Sequence, residues 1–290
     1  MKPITLPMAE GPPITLRDIV EHTRQEVEAA KREITVDQFR EAIAELGRPR
    51  NFFGAVVRRN TPDTTAVIAE IKRKSPSVRE GGGWLRPEYA SDDFDPVAIA
   101  KRYHASGASA ISCLTDETFF GGHLSYIHRI RDAVPLPVLR KDFIIDPWQV
   151  WQSRAAGADA ILLIAECLSE SEMVDLMILA RELQLTTLIE VHDMENLLRV
   201  RPHVGFPSRS YGLLGINNRD LSTMTTDLNH TMRLADLVDD TSVLVSESGI
   251  RTPADLSRLR QAGVRIALVG ESLMRQEDPG RALSVLLGRG

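Results

Sequence analysis

Glu70 and Lys72 stand two apart in the run AVIAEIKRK, and in an extended chain that spacing puts both side chains on one face. A carboxylate and an ammonium in a low dielectric can hold each other ionised, and either can then trade a proton with a substrate. Lys141 closes the apolar run PVLRKDF, between Arg140 and Asp142. Glu190 lies inside TTLIEVHD, where an unpaired carboxylate is costly to bury, so it requires a cation such as Lys72 or Lys141. Asn217 and Arg219 repeat the two-residue spacing in LLGINNRDL, while Glu247, Ser248 and Gly249 end SVLVSESGI. Gly270 and Glu271 follow the run IALV. Glycines directly after strands leave backbone N–H groups open to an anion, so Gly249 and Gly270 predict a phosphorylated ligand. Taken singly, each feature has a plainer reading: EIKRK as a surface ion pair with a basic turn, Lys141 as a strand's exit to solvent, each glycine as a turn residue.

The hydrophobic rhythm of the chain supplies the elements that would bring these positions together. Strand-like runs recur at Ala66 to Lys72, Ala110 to Asp116, Pro137 to Phe143, Ala160 to Ala165, Thr187 to His192, Leu213 to Arg219, Val243 to Ser248 and Ile266 to Glu271. AILLIA and IALVG are continuously apolar, as strands of a parallel sheet are when both faces are covered. Helical segments lie between them with recurring punctuation. Asp95 and Pro96 open a helix that Gly107 ends, Asp146 and Pro147 open one up to Gly157, Ser169 opens a third, and Thr252 and Pro253 open one up to Gly263. About eight such units predict an α/β fold, a single (β/α)8 TIM barrel whose strands all end around one mouth. Residues 61–290 are expected to form this barrel as one structural domain. Residues 1–60 are expected to be a helical extension packed on it, with helical periodicity over Leu16 to Lys31 and Val36 to Leu46 and a third apolar segment at Asn51 to Arg58. The extension reads either as a solvated charged helix that adds only stability or as a cover for the mouth.

Composition narrows the function further. A chain of 290 residues, 43% of them hydrophobic, is long enough for one large barrel core. Its 35 Lys and Arg are spread along a chain of net charge −5, which leaves no basic block for nucleic acid. No run reaches the length of a membrane span, and the N-terminus lacks the apolar region of a signal peptide. Cys113 and Cys167 are the only cysteines and read as small buried thiols in a reducing, cytoplasmic setting. The seven histidines show no HExxH spacing, no CxxC pair exists, and no GxGxxG follows a strand, so neither metal nor dinucleotide cofactor is expected. His192 is the one histidine near the expected mouth and reads as packing or support. Gly81 to Gly83 lack the Lys-Ser/Thr of a phosphate loop and read as a flexible insertion.

AEIKRKSPS, SCLTDETFFGG, LRKDFIIDPWQV, GADAILLIA, LIEVHD, GINNRDL, VSESGI and LVGESLMR, in this order, resemble the indole-3-glycerol phosphate synthase family over nearly the whole chain. The resemblance implies a cofactor-free lyase of tryptophan biosynthesis that converts 1-(2-carboxyphenylamino)-1-deoxyribulose 5-phosphate into indole-3-glycerol phosphate, CO₂ and water. It implies Lys141 as general acid of ring closure, Glu190 as its acid–base partner, and Glu70 with Lys72 as a second pair. Asn217 would position the substrate and Glu247 support the lysines. Ser75 and Arg219 would help bind substrate, and Phe120, Phe143, Leu162 and Ile164 would wall the anthranilate ring. Lys72, Ser248, Gly249, Gly270 and the backbone of Glu271 would take the phosphate. The enzyme would work as a monomer or weak homodimer on a small phosphorylated substrate, with no fused domain after the eighth unit. Two departures stand out. The stretch Val78 to Phe94 is longer than the family's compact turn and reads as a mobile lid able to move Lys72. Glu166 stands where a small apolar residue is usual and reads either as an additional mouth carboxylate near Cys167 that alters the pH profile or, more plainly, as an outward-facing surface side chain. The residues alone leave open another phosphosugar barrel, such as a phosphoribosyl isomerase, or a non-catalytic ligand-binding barrel; the lysines of EIK and KDF argue against both.

Overall fold

The apolar runs form eight parallel strands: β1 (Ala66–Ile71), β2 (Ala110–Leu114), β3 (Val138–Lys141), β4 (Ala160–Ile164), β5 (Thr186–Val191), β6 (Gly212–Asn217), β7 (Leu244–Glu247) and β8 (Ile266–Val269). They pair in sequence order and β8 returns to β1, closing the barrel. The computed structural model describes residues 14–57, 63–78, 83–209, 211–220 and 225–289. Alternation along each strand sorts the side chains into two cores. Outward positions such as Val67, Ala69, Ile111, Leu163 and Ile189 pack under the helices, while Ile68, Leu139, Leu162, Leu188, Leu213 and Val245 fill the barrel interior.

Among the described residues three helices precede the barrel, α1 (Leu16–Glu33), α2 (Val36–Leu46) and α3 (Phe52–Val57). The helices that follow the strands are α4 (Pro96–Ala105), α5 (Ser125–Ala133), α6 (Pro147–Ala155), α7 (Glu170–Glu182), α8 (Met194–Val200), α9 (Asn229–Ala235) and α10 (Pro253–Gln261), with α11 (Glu271–Met274) and α12 (Pro279–Leu286) after β8. Their starts follow the punctuation in the sequence. Asp95, Asp146, Ser169 and Thr252 each accept a hydrogen bond from a first-turn backbone N–H, satisfying a group that the helix itself leaves orphaned.

The extension grips both ends of the barrel. Fully buried Phe52 and Val56 of α3 pack against Ala66, Ala110 and Ala160 at the strand starts, so α3 stoppers the end opposite the mouth. Arg50 locks it there by donating to the carbonyls of Arg131, Val134 and Leu136 at 2.7–2.8 Å. Trp148 of α6 joins Phe39 of α2 and Val27 of α1 in a separate small core, and its Nε1 donates to the Ile34 carbonyl at 2.8 Å. The start of α1 reaches the other end, where Leu16 and Ile19 form part of the mouth wall. The extension therefore does more than add a solvated helix.

The long stretch after β1 corrects an expectation. From Gly83 to Phe94 it is docked rather than free: Leu85, Tyr89 and Phe94 are buried, and Tyr89 Oη donates to the Met274 carbonyl at 3.0 Å. Ser75 N–H donates to the Gly83 carbonyl at 2.8 Å and Leu85 N–H to Arg73 at 2.9 Å, a short backbone clasp. Gly83 is thus a fixed point of the clasp. The guanidinium of Arg73 lies over the rings of Trp84 and Phe94. Residues 79–82 of the expected lid lie outside the described residues.

Candidate active site

Inward alternation that fills the barrel with Leu139, Leu188, Leu213 and Val245 brings Lys141, Glu190, Gly215 and Glu247 inward one step closer to the mouth. A cavity of about 670 Å³ opens there, and every site position expected from the sequence lines it.

Lys141 is the centre of one cluster. Its Nζ donates to Glu190 Oε2 at 2.7 Å and stands 3.7 Å from Glu247 Oε2. Asn217 Nδ2 donates to Glu190 Oε1 at 3.2 Å. Burial alone would push the Glu190 carboxyl up, but the Lys141 ammonium and then the His192 ring outweigh it and hold the group well below the carboxylate range. Burial and the Glu190 charge push Glu247 well above that range. Two carboxyls beside one ammonium are thus pushed in opposite directions, Glu190 toward the ionised form and Glu247 toward the protonated one. Burial opposes the charge of Lys141, yet Glu190, Glu247 and Glu70 together raise its affinity for the proton.

Glu70 and Lys72 form the second cluster, with Lys72 Nζ 2.7 Å from Glu70 Oε1 and both side chains largely buried. The surface-pair reading of EIKRK therefore fails for these two residues. Two glycines make room for the carboxylates. A Cβ on Gly270 would fall 2.3 Å from Glu70 Oε1, and one on Gly215 would fall 2.2 Å from Glu247 Oε1. A side chain at either position would have to displace the carboxylate.

Ser248, Gly249, Gly270 and Glu271 line the far rim of the cavity. Of these, Ser248 and Gly249 have φ of +66° and +77°, two consecutive left-handed residues. For Ser248 this conformation is strained, and strain held by its surroundings gathers at functional sites. Gly270 precedes the first turn of α11, where N–H groups lack helical acceptors. Beside it the Glu271 carboxylate is held by Arg219 at 2.8 Å and Arg275 at 2.9 Å. Burial would raise the Glu271 carboxyl, but its hydrogen bond and charge pairing with Arg219 lower it. Arg219 also donates to Ser77 Oγ at 2.9 Å, and Ser77 meets Ser75 Oγ at 2.7 Å, tying the loop after β1 to the rim.

The apolar wall comes from Phe120, Phe143, Leu162 and Ile164, with the two phenyl centroids 6.0 Å apart. Asp116 fixes Phe120: its Oδ1 accepts from the backbone N–H of Phe119 at 2.6 Å and of Phe120 at 2.8 Å. Burial and then the charge of Asp142 push the Asp116 carboxyl up to about 6.

Sequence reasoning missed or misread three contributors. Gly215 carries a signal, since glycine inside a strand often marks a close approach, but the approaching group is not named by it. Asp116 ended an expected run without an assigned task. Glu166 does not face outward: it accepts from the His192 backbone N–H at 2.8 Å and pairs with His192 Nδ1 at 3.2 Å. Parallel pairing of Ile164 with Glu190 brings the residues just beyond those two strands together, a register that the sequence does not print. Among the described residues no group of three or more His, Cys, Asp and Glu is arranged to hold a metal ion.

A closed parallel barrel with paired lysines and glutamates lining one cavity at its strand ends defines the class, a (β/α)8-barrel enzyme. Solved structures share that fold at low identity. A 3-hexulose-6-phosphate synthase aligns with a TM-score of 0.57 and 14% identity over 77% of this chain and 99% of its own. The tryptophan synthase alpha subunit of Legionella pneumophila aligns with a TM-score of 0.54 and 15% identity over 83% and 97%. Sequence is more specific. The profile of indole-3-glycerol phosphate synthase matches residues 16–286. The enzyme of that name from Rhodopirellula baltica is 46% identical over 94% of this chain and 98% of its own, and that from Rhodospirillum rubrum 42% over 94% and 98%. The chain belongs to the indole-3-glycerol phosphate synthase family.

Proposed function

We propose that this mouth converts 1-(2-carboxyphenylamino)-1-deoxyribulose 5-phosphate into indole-3-glycerol phosphate, CO₂ and water, the carboxy-lyase reaction of tryptophan biosynthesis. One observation carries the reading: an ammonium paired with a carboxylate at 2.7 Å lines the same cavity as the left-handed turn Ser248–Gly249 and the start of α11, the kind of backbone that receives a phosphate. The substrate has a carbonyl that must be protonated at one end and a phosphate at the other.

Lys141 gives its proton to the carbonyl oxygen as the arene carbon attacks. Its pairing with Glu190 keeps it charged until then. Loss of CO₂ returns electrons to the ring. Dehydration needs an acid for the departing hydroxyl and a base for a proton; Lys72 with Glu70 supplies the acid, and ionised Glu190 the base. Asn217 orients Glu190 and the substrate, and Phe120, Phe143, Leu162 and Ile164 bury the aromatic ring. Lys72 and the backbone of Ser248, Gly249, Gly270 and Glu271 hold the phosphate. Arg219 and Arg275 neutralise the Glu271 carboxylate, so it does not repel that phosphate.

The working unit in this reading is a monomer or weak homodimer. No helix among the described residues is long and apolar enough to cross a membrane. Cys113 is buried, and burial pushes the Cys167 thiol up to about 12, so both thiols are poor nucleophiles, in keeping with a cytoplasmic setting. The test is direct: protein incubated with the carboxyphenylamino deoxyribulose phosphate should develop indole fluorescence, and Lys141→Ala should abolish it. Folded wild-type protein that gives no signal would refute the reading.

A further inference from the structure

His192 continues the inward alternation of β5 two residues past Glu190 and lines the same cavity. Its ring is held from behind. Glu166 takes the His192 backbone N–H at 2.8 Å with one oxygen and Nδ1 at 3.2 Å with the other. His230 Nε2, from α9, donates to the His192 carbonyl at 2.9 Å. The remaining ring nitrogen, Nε2, is buried, has no hydrogen-bond partner among the described residues, and stands 3.3 Å from Glu190 Oε1. Glu190 therefore lies between two basic groups, with Lys141 on Oε2 at 2.7 Å and His192 facing Oε1 at 3.3 Å.

The proposed chemistry removes the charge of one of these groups partway through. When Lys141 NζH₃⁺ passes a proton to the carbonyl oxygen, the product is a hydroxyl and a neutral amine, and Glu190 loses the charge on its Oε2 side. We propose that His192, fixed by Glu166, is a positioning residue that keeps a positive charge against the other oxygen of Glu190, so that the carboxylate stays ionised and oriented for the later proton abstraction. This rests on the reading of the mouth as a synthase site. The groups facing Glu190 and His192 are Lys141 from β3, Glu166 and Cys167 from the turn after β4, Asn217 from β6, His230 from α9 and Glu247 from β7. Burial works against an imidazolium here, but the hydrogen bond to Glu166 and the charge of Glu190 outweigh it and raise the ring's proton affinity.

The test compares full-length wild-type protein with His192→Asn and Glu166→Gln, measuring kcat and KM across pH by indole fluorescence. His192→Asn should lower kcat about tenfold with little change in KM. The acid limb of its kcat profile should move up by about one pH unit, because a carboxylate that loses a neighbouring cation is more easily protonated. Glu166→Gln should move the alkaline limb down, since His192 then gives up its proton at lower pH. A residue that merely packs would lower the melting temperature and leave both limbs in place. Folded variants with wild-type kcat and unmoved limbs would overturn the proposal; if His192→Asn fails to fold, Glu166→Gln decides alone. An inactive wild type would instead refute the synthase reading, a result distinct from these.

Discussion

Glu190 and Glu247 crowd the same ammonium, and their opposite shifts make separable predictions. Glutamine imitates a protonated carboxyl, so Glu247→Gln should retain most activity while Glu190→Gln should lose about 10²–10⁴-fold in kcat. The same contrast sets the pH dependence of stability. Glu190 is depressed on folding, so its contribution is present above the ordinary carboxylate range and is lost as pH falls through its folded value. Glu247 is raised, so its contribution is present at low pH and is lost as pH rises through its folded value. Thermal unfolding of wild type and Glu247→Gln between about pH 5 and 8 should show the variant gaining relative stability as pH rises; a constant gap would mean that Glu247 is ionised throughout. Most of this cluster was readable, because a lysine or glutamate at the end of an apolar run demands a partner. The grip of Glu166 on His192 was not, because it depends on how β4 and β5 register across the barrel.

At the level of elements, α3 and the docked stretch after β1 are set by packing that local sequence cannot announce. Phe52 and Val56 read as a short apolar segment; only the closed barrel provides an open end for them to fill. Phe52→Ala should cost about 3–5 kcal/mol of stability, measured by denaturant unfolding, with KM for substrate unchanged because the site lies at the opposite end. Leu85→Ala, in a stretch that the glycines and charges made look loose, should cost about 2–5 kcal/mol where a mobile lid would cost almost nothing. The N-caps were legible for a local reason: Asp-Pro and Thr-Pro before an apolar-periodic run satisfy orphaned helix groups wherever the helix docks.

Across the whole molecule, eight apolar runs separated by capped helices were enough to specify the barrel, and the barrel in turn explains why residues from Glu70 to Glu271 meet in one cavity. Binding at that cavity should couple to global stability. Indole-3-glycerol phosphate at 100 times its dissociation constant should add about 2.7 kcal/mol, visible as a concentration-dependent rise in melting temperature. The rise should vanish when Gly249→Pro and Gly270→Ala together spoil the rim. The central claim is that acid chemistry at Lys141 and anion binding at the rim are separate tasks of one mouth, and a single-turnover experiment with enzyme in excess tests it most directly. Wild type should convert the bound carboxyphenylamino deoxyribulose phosphate to indole product, while Lys141→Ala should bind it with little loss of affinity and leave it unconverted. Conversion by Lys141→Ala at the wild-type rate would contradict the account.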